Sequence, residues 1–256
     1  MTQRTPAVFY GHGNPMNAIA GPYGAAWREL GESMAKPKAI LMVSAHWYID
    51  GVAVTGNERP ETIHDFYGFP PALYQVNYPA FGDPRLADRV RDLLGREGTR
   101  EAMDWGLDHG AWSVLVHSYP DADVPVVQLS LDAKQDAAWH YALAQKLNPL
   151  RDEGVMIAGS GNIVHNLRAW RRDGDTTPYD WAVRFNDTIK RALAEHDHAT
   201  PVNYLALGED ARLSAPTPEH YLPLLYVLAQ QDEGEALTFF NDRLESSISM
   251  LGFKIG

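Results

Sequence analysis

The sequence predicts a single-domain α/β fold over residues 1–256, with a largely parallel or mixed central sheet flanked by helices. Three observations carry that expectation: four short apolar runs bounded by turn residues, amphipathic helical patterns between them, and a length that one α/β unit can fill. The first strand is AVFYG from Ala7. Tyr23, Trp27, Leu30 and Met34 then follow helical spacing. AILMVSA from Ala39 is apolar at every position but its serine, the mark of a strand covered on both faces. The stretch from Gly56 to Pro84 is rich in proline and aromatic residues, which indicates a packed functional loop. Asp83 as N-cap and Pro84 at the first helical position open a helix that buries Leu86, Val90, Leu93 and Leu94 and stops at Gly95. VPVVQLSL from Val124 and GVMIAGSG from Gly154 supply two more interior strands. A helix from Asp180 buries Trp181, Phe185, Ile189 and Leu193. Another is expected with Thr217 as N-cap, Pro218 at its first position and His220 in its first turn. The tail alternates Ile248, Met250, Phe253 and Ile255, giving a last strand kinked near Gly252.

Composition narrows the function. The net charge of −11 with no basic block opposes nucleic acid and anionic membranes as partners. There is no cysteine, which removes disulfides, thiolate nucleophiles and Cys-ligated metals. The opening residues lack a signal-peptide h-region, and no apolar run approaches the roughly 18 residues of a spanning helix. A cytoplasmic location is the resulting expectation.

The ten histidines carry the chemistry. His196 and His198 lie in the polar stretch AEHDHATP and read as solvated surface. His117 and His140 fall inside helical patterns, where a structural role is the ordinary one. His12 in FYGHGNP follows a strand between two glycines that allow close approach of a ligand. His46 closes the second strand, and His165 lies just past GVMIAGSG. Three strand ends therefore deliver imidazoles to the side of an α/β sheet where ligands bind. His220 at a helix start adds a fourth. His109 in GLDHGAW is a fifth; a carboxylate such as Asp108 can orient an imidazole, though adjacent side chains rarely face the same way. His64 in TIHDFYGFP sits on the aromatic loop, as a substrate contact or a backbone cap. Three imidazoles without cysteine suit Zn(II) or Fe(II), with positions left open for chemistry.

In chain order, GHGNPMNAI, VSAHW, TIHDFYGFP, DHGAWSVL, PVVQLSLD, GSGNIVHNLR and PTPEHYLPLLYVL resemble the class III (LigB-type) extradiol ring-cleaving dioxygenases, in their 4,5-DOPA dioxygenase extradiol branch. The resemblance spans nearly the whole chain. It implies a LigB-like fold and one divalent metal held by His12, His46 and His220, with Fe(II) needed for activity and Zn(II) able to occupy the same shell. It further implies His165 as the catalytic base, and His109 near the substrate, with His64 as a further contact. Many members of the class use two histidines and a carboxylate. Here His220 stands at the third position with Glu219 beside it, and neighbouring helical positions point about 100° apart, so one of the two reaches the metal. The implied reaction opens a small catechol-type aromatic with O2 to a muconic semialdehyde. Two other readings use the same residues: a zinc hydrolase whose three imidazoles lower the pKa of a bound water, and a binding protein without turnover.

Overall fold

The computed structural model describes residues 4–256. Its strands are β1 (Ala7–Gly11), β2 (Ala39–Ile49), β3 (Val52–Thr55), β4 (Thr99–Ala102), β5 (Val126–Asp132), β6 (Val155–Gly161), β7 (Leu237–Phe240), β8 (Leu244–Glu245), β9 (Ile248–Ser249) and β10 (Gly252–Ile255). Its helices are α1 (Gly24–Ser33), α2 (Pro71–Tyr74), α3 (Pro84–Leu94), α4 (His109–Ser118), α5 (Ala137–Gln145), α6 (Pro149–Asp152), α7 (Asp180–Ala194), α8 (Ala199–Val202), α9 (Glu209–Ser214) and α10 (Leu222–Leu228).

Eight strands form one mixed sheet in the order β4-β3-β5-β2-β6-β1-β10-β7, and β8 and β9 make a separate hairpin. The centre, β5-β2-β6-β1, is parallel, as the apolar runs predict. Antiparallel partners flank it: β3 on β5, β10 on β1 and β7 on β10. Side chains alternate across the sheet. Phe9, Leu41 and Val43 face the layer containing α3, α5, α7 and α10, whereas Val8, Tyr10, Ile40 and Met42 face α1 and α4. Each fully buried apolar side chain contributes about 1.5–3 kcal/mol. All seven residues of α10 are buried, so this short segment is a large part of one layer.

The expected helix starts hold at α3, where the Asp83 carboxylate accepts from the amides of Arg85 and Leu86 at 3.0 and 3.1 Å, and at α7. The helix expected from Pro218 begins later, at Leu222. Residues 218–221 form a turn closed by the Tyr221 amide on the Pro218 carbonyl at 2.9 Å, and the Thr217 hydroxyl bonds Glu219 rather than capping backbone. β2 also differs from expectation. It runs on to Ile49, so His46 lies within the strand, and its register with β5 shifts between Val43 and Tyr48. A bulge of this kind re-aims side chains near a strand end. The break in the tail falls at Met250 and Leu251, between β9 and β10. His198 is half-buried rather than solvated, between the Tyr141 hydroxyl at 2.7 Å and Gln231 at 2.9 Å. Among the described residues, no helix is long and apolar enough to cross a membrane.

Candidate metal centre and active site

Because β1, β2, β5 and β6 run the same way, their carboxyl ends meet along one edge of the sheet. His12 follows β1 directly, and its amide bonds the last carbonyl of β6, Gly161, at 3.1 Å. The turn carrying His220 is tied to the same place: the Asn162 amide donates to the His220 carbonyl at 2.8 Å. Gly161 allows this approach, since a Cβ there would stand 2.1 Å from the His220 carbonyl oxygen. His46 enters from the irregular part of β2, and Gly110 at the start of α4 lets that helix pack against Ser44 and His46.

The contacts at the cluster favour one tautomer. Ser160 donates its hydroxyl proton to the Gly110 carbonyl at 2.5 Å, so its lone pair accepts Nδ1–H of His12 at 3.0 Å. His46 Nδ1 faces Asp65 Oδ2 at 3.4 Å, and His220 Nδ1 faces Glu219 Oε1 at 3.3 Å. These contacts favour the tautomer with the proton on Nδ1, which leaves a lone pair on Nε2. The Nε2 atoms of His12 and His46 lie 3.1 Å apart. Two lone pairs at that distance repel unless a cation or proton lies between them. Two ligands of one metal at about 2.0–2.1 Å each stand roughly 3.3 Å apart in a tetrahedral shell. One ligand atom from each of His12, His46 and His220 falls within 4.8 Å of the others. The donor set thus fits a divalent metal held by three neutral imidazoles. Glu219 stands behind His220, not in the ligand group.

Burial keeps these rings neutral. It is the first cause of the depressed pKa of His12 and of His220, both held well below the usual histidine range, with the neighbouring imidazoles adding to it. It likewise lowers His46 to about 3, against the pull of Asp65, and His165 to about 4, against the pull of Glu219. His165 stacks on His220 with ring centroids 3.5 Å apart and planes 6° from parallel. Its side chain has no hydrogen-bond partner among the described residues.

His109 does not use the neighbour that its sequence offered. Asp108 is turned inward, accepting from the Ser44 hydroxyl at 2.6 Å and the Gln128 amide at 2.7 Å and capping α4 at Ala111. The carboxylate at His109 is Asp65, with Oδ2 2.9 Å from His109 Nδ1 and Oδ1 accepting from its amide at 2.9 Å. Burial works to raise the pKa of Asp65, but the hydrogen bonds and charge of His109 with the field of His46 outweigh it and hold the carboxyl below its usual range. Asp65 thereby braces two cavity histidines from the aromatic loop. Sequence reasoning missed it, although it sits next to His64 in a motif that was singled out. His64 itself does not line the cavity. Its Nε2 donates to the Val76 carbonyl at 3.0 Å, the backbone-capping role, and its ring lies beside Phe66.

The histidines open into a cavity of about 500 Å³ that also exposes Phe66, Phe69, Leu167 and Trp170. Polar imidazoles at one place and aromatic walls elsewhere suit a flat aromatic ligand. Residues 12–239 match the family of catalytic LigB subunits of aromatic ring-opening dioxygenases. The chain belongs to the LigB family. It is 49% identical to the 4,5-DOPA dioxygenase extradiol of Escherichia coli (strain K12), covering 99% of this chain and 95% of that one. Identity to the 4,5-DOPA dioxygenase extradiol of Beta vulgaris is 38%, over 95% and 93% of the two chains. An uncharacterised Escherichia coli K12 protein of known crystal structure superposes with a TM-score of 0.86 at 45% identity, covering 99% of this chain and all of that one. This LigB protein is therefore a metal-dependent, ring-opening dioxygenase acting on a small aromatic with O2, which removes the zinc hydrolase and the inert binding protein as readings of the site.

Proposed function

We propose that the enzyme opens a catechol-type aromatic, of the DOPA class, with Fe(II) as the active metal and with extradiol regiochemistry. The observation that carries this reading is the convergence of one ring nitrogen each from His12, His46 and His220 beside a fourth imidazole, His165, in one aromatic-walled cavity. His12, His46 and His220 hold the metal. When bound, that metal polarises the two catechol oxygens and provides the electronic path between ring and O2. His165 is neutral at physiological pH and takes the proton of a catechol hydroxyl, returning it to oxygen later in the cycle. His109, whose Nδ1 stands 2.9 Å from Asp65 Oδ2, presents its ring to the substrate. Phe66, Phe69 and Trp170 hold the ring and exclude water. Cleavage next to the hydroxyl-bearing pair places both atoms of O2 in a muconic semialdehyde.

Zn(II) satisfies the same three imidazoles, so zinc in a purified sample is compatible with an iron enzyme. The test is oxygen uptake by protein stripped of metal, reloaded anaerobically with Fe(II) and mixed with DOPA, catechol or protocatechuate. One O2 consumed per substrate with a yellow product is the expected result. No uptake with any catechol at full metal occupancy would overturn the proposal.

A further inference from the structure

Asp65 faces two rings at once. Its Oδ2 stands 3.4 Å from His46 Nδ1 and 2.9 Å from His109 Nδ1. One ligand atom from each of His46, Asp65 and His109 falls within 4.8 Å of the others, the same closeness that His12, His46 and His220 show. Among the described residues these are the two groups of that kind, and His46 belongs to both.

The second group is more than a brace for the first. A histidine braced for a metal donates along its N–H axis to a carboxylate or carbonyl. The His109 side chain is 7% exposed, yet its Nδ1 lacks a hydrogen bond of normal alignment, because the carboxylate oxygen is close but lies off the N–H axis. An off-axis oxygen stands where a second ligand would stand if a cation lay on the ring axis. Ligands of a tetrahedral metal at about 2.0–2.1 Å are roughly 3.3 Å apart, and the spacings of 2.9 and 3.4 Å bracket that value. Asp65 is on the aromatic loop with its side chain 18% exposed, so a cation can reach it from solvent. The catalytic chamber is lined by His46 and His109 but not by Asp65.

We infer that His46, Asp65 and His109 form a second cation site, which takes Zn(II) when zinc is in excess and inhibits the enzyme. The inference rests on the assignment of His12, His46 and His220 to one metal. His46 serves both cations as a bridging imidazolate, through Nε2 to the first and Nδ1 to the second. Coordination sends the Nδ1 proton of His46 to solvent and moves that of His109 to Nε2, so one proton is released for each second zinc bound. The negative charges of the imidazolate and of Asp65 offset the repulsion between the two dications. Two ring nitrogens and a carboxylate oxygen are a donor set that suits zinc, and N/O sites generally hold Zn(II) more tightly than Fe(II). Iron at catalytic loading therefore leaves this site open. Zinc there fixes His109, which faces the substrate, and changes the charge at His46, so ring cleavage falls.

The test is equilibrium dialysis of metal-stripped protein against buffered Zn(II), with bound zinc read by elemental analysis and folding by circular dichroism. The wild type should take one zinc per chain at low free zinc and a second at a concentration at least tenfold higher. His109→Ala and Asp65→Asn should each keep the first event and lose the second. Oxygen uptake by the iron-loaded wild type should fall with added zinc at the midpoint of the second event. Saturation at one zinc per chain up to millimolar free zinc, or a second zinc that survives both substitutions, would overturn the site. The dialysis needs no turnover, so a second zinc lost in both variants of a chain that opens no catechol would keep this site while defeating the ring-cleavage proposal.

Discussion

His140 and His12 are equally shielded from solvent, at 0% and 1% exposure, and both are pushed below the usual histidine pKa chiefly by desolvation. They differ in what their nitrogens meet. His140 Nε2 donates to the Asp132 carbonyl at 3.1 Å and Nδ1 accepts from the Tyr226 hydroxyl at 2.9 Å, so the ring is satisfied and closed. His12 spends Nδ1 on Ser160 and turns a bare Nε2 towards the bare Nε2 of His46. Burial does not make a histidine functional; an unspent lone pair held next to others does.

Replacing His12, His46 or His220 by alanine should remove nearly all bound metal and all ring cleavage while the fold persists, read by elemental analysis and circular dichroism. Full metal content in the His12→Ala protein would break the contrast at its strongest point. His165→Ala should keep the metal and lose about 10²–10⁴ in kcat, the usual scale of a general base. Asp65→Asn should weaken metal affinity about 10–100-fold, because it loosens His46 and His109 together. A competition assay with a chelating dye would detect that change.

Acidification sharpens the comparison through stability. In the unfolded chain a histidine titrates near 6.5, whereas His165 folds to about 4. The unfolded state then binds more protons between these values, so the stability of the metal-free protein is complete above about pH 6.5 and falls as pH drops towards 4. His165 alone accounts for about 3 kcal/mol of that loss, measurable by urea unfolding across the range. A flat profile for the metal-free protein would show these rings to be less desolvated than His140. Smallest of all, His140→Ala should cost about 1–3 kcal/mol by orphaning the Tyr226 hydroxyl and the Asp132 carbonyl, with metal content unaltered.

The parts legible in the sequence are those fixed by local pattern. β1, β2, β5 and β6 stand out because strands covered on both faces must be apolar throughout, and α3 because Asp83 and Pro84 announce it. β3, β4 and β7 were missed. They are four residues each, and Thr99–Ala102 exposes Arg100 and Glu101, leaving little periodicity to read. His46 was placed at a strand's end because sequence does not reveal a bulge, which depends on the pairing partner. The histidines that cluster at the cavity could be named from motifs in order, but the contacts of Asp65 and Asp108 could not. Adjacency offers Asp108 but turns neighbouring side chains apart, and only tertiary folding brings a carboxylate 44 positions earlier against His109.

Positions 12, 46 and 220 span most of the chain, and the chain has no cysteine. A cation gripped by those three imidazoles is therefore also a cross-link, closing two long loops that no covalent bond closes. Loop closure of that length favours the folded ensemble by restricting the unfolded one, and a ligand that binds only the folded state adds its own binding free energy. Loss of metal would then shorten the protein's lifetime as well as silence it, so that the supply of metal sets how much of this enzyme survives as well as how much of it works.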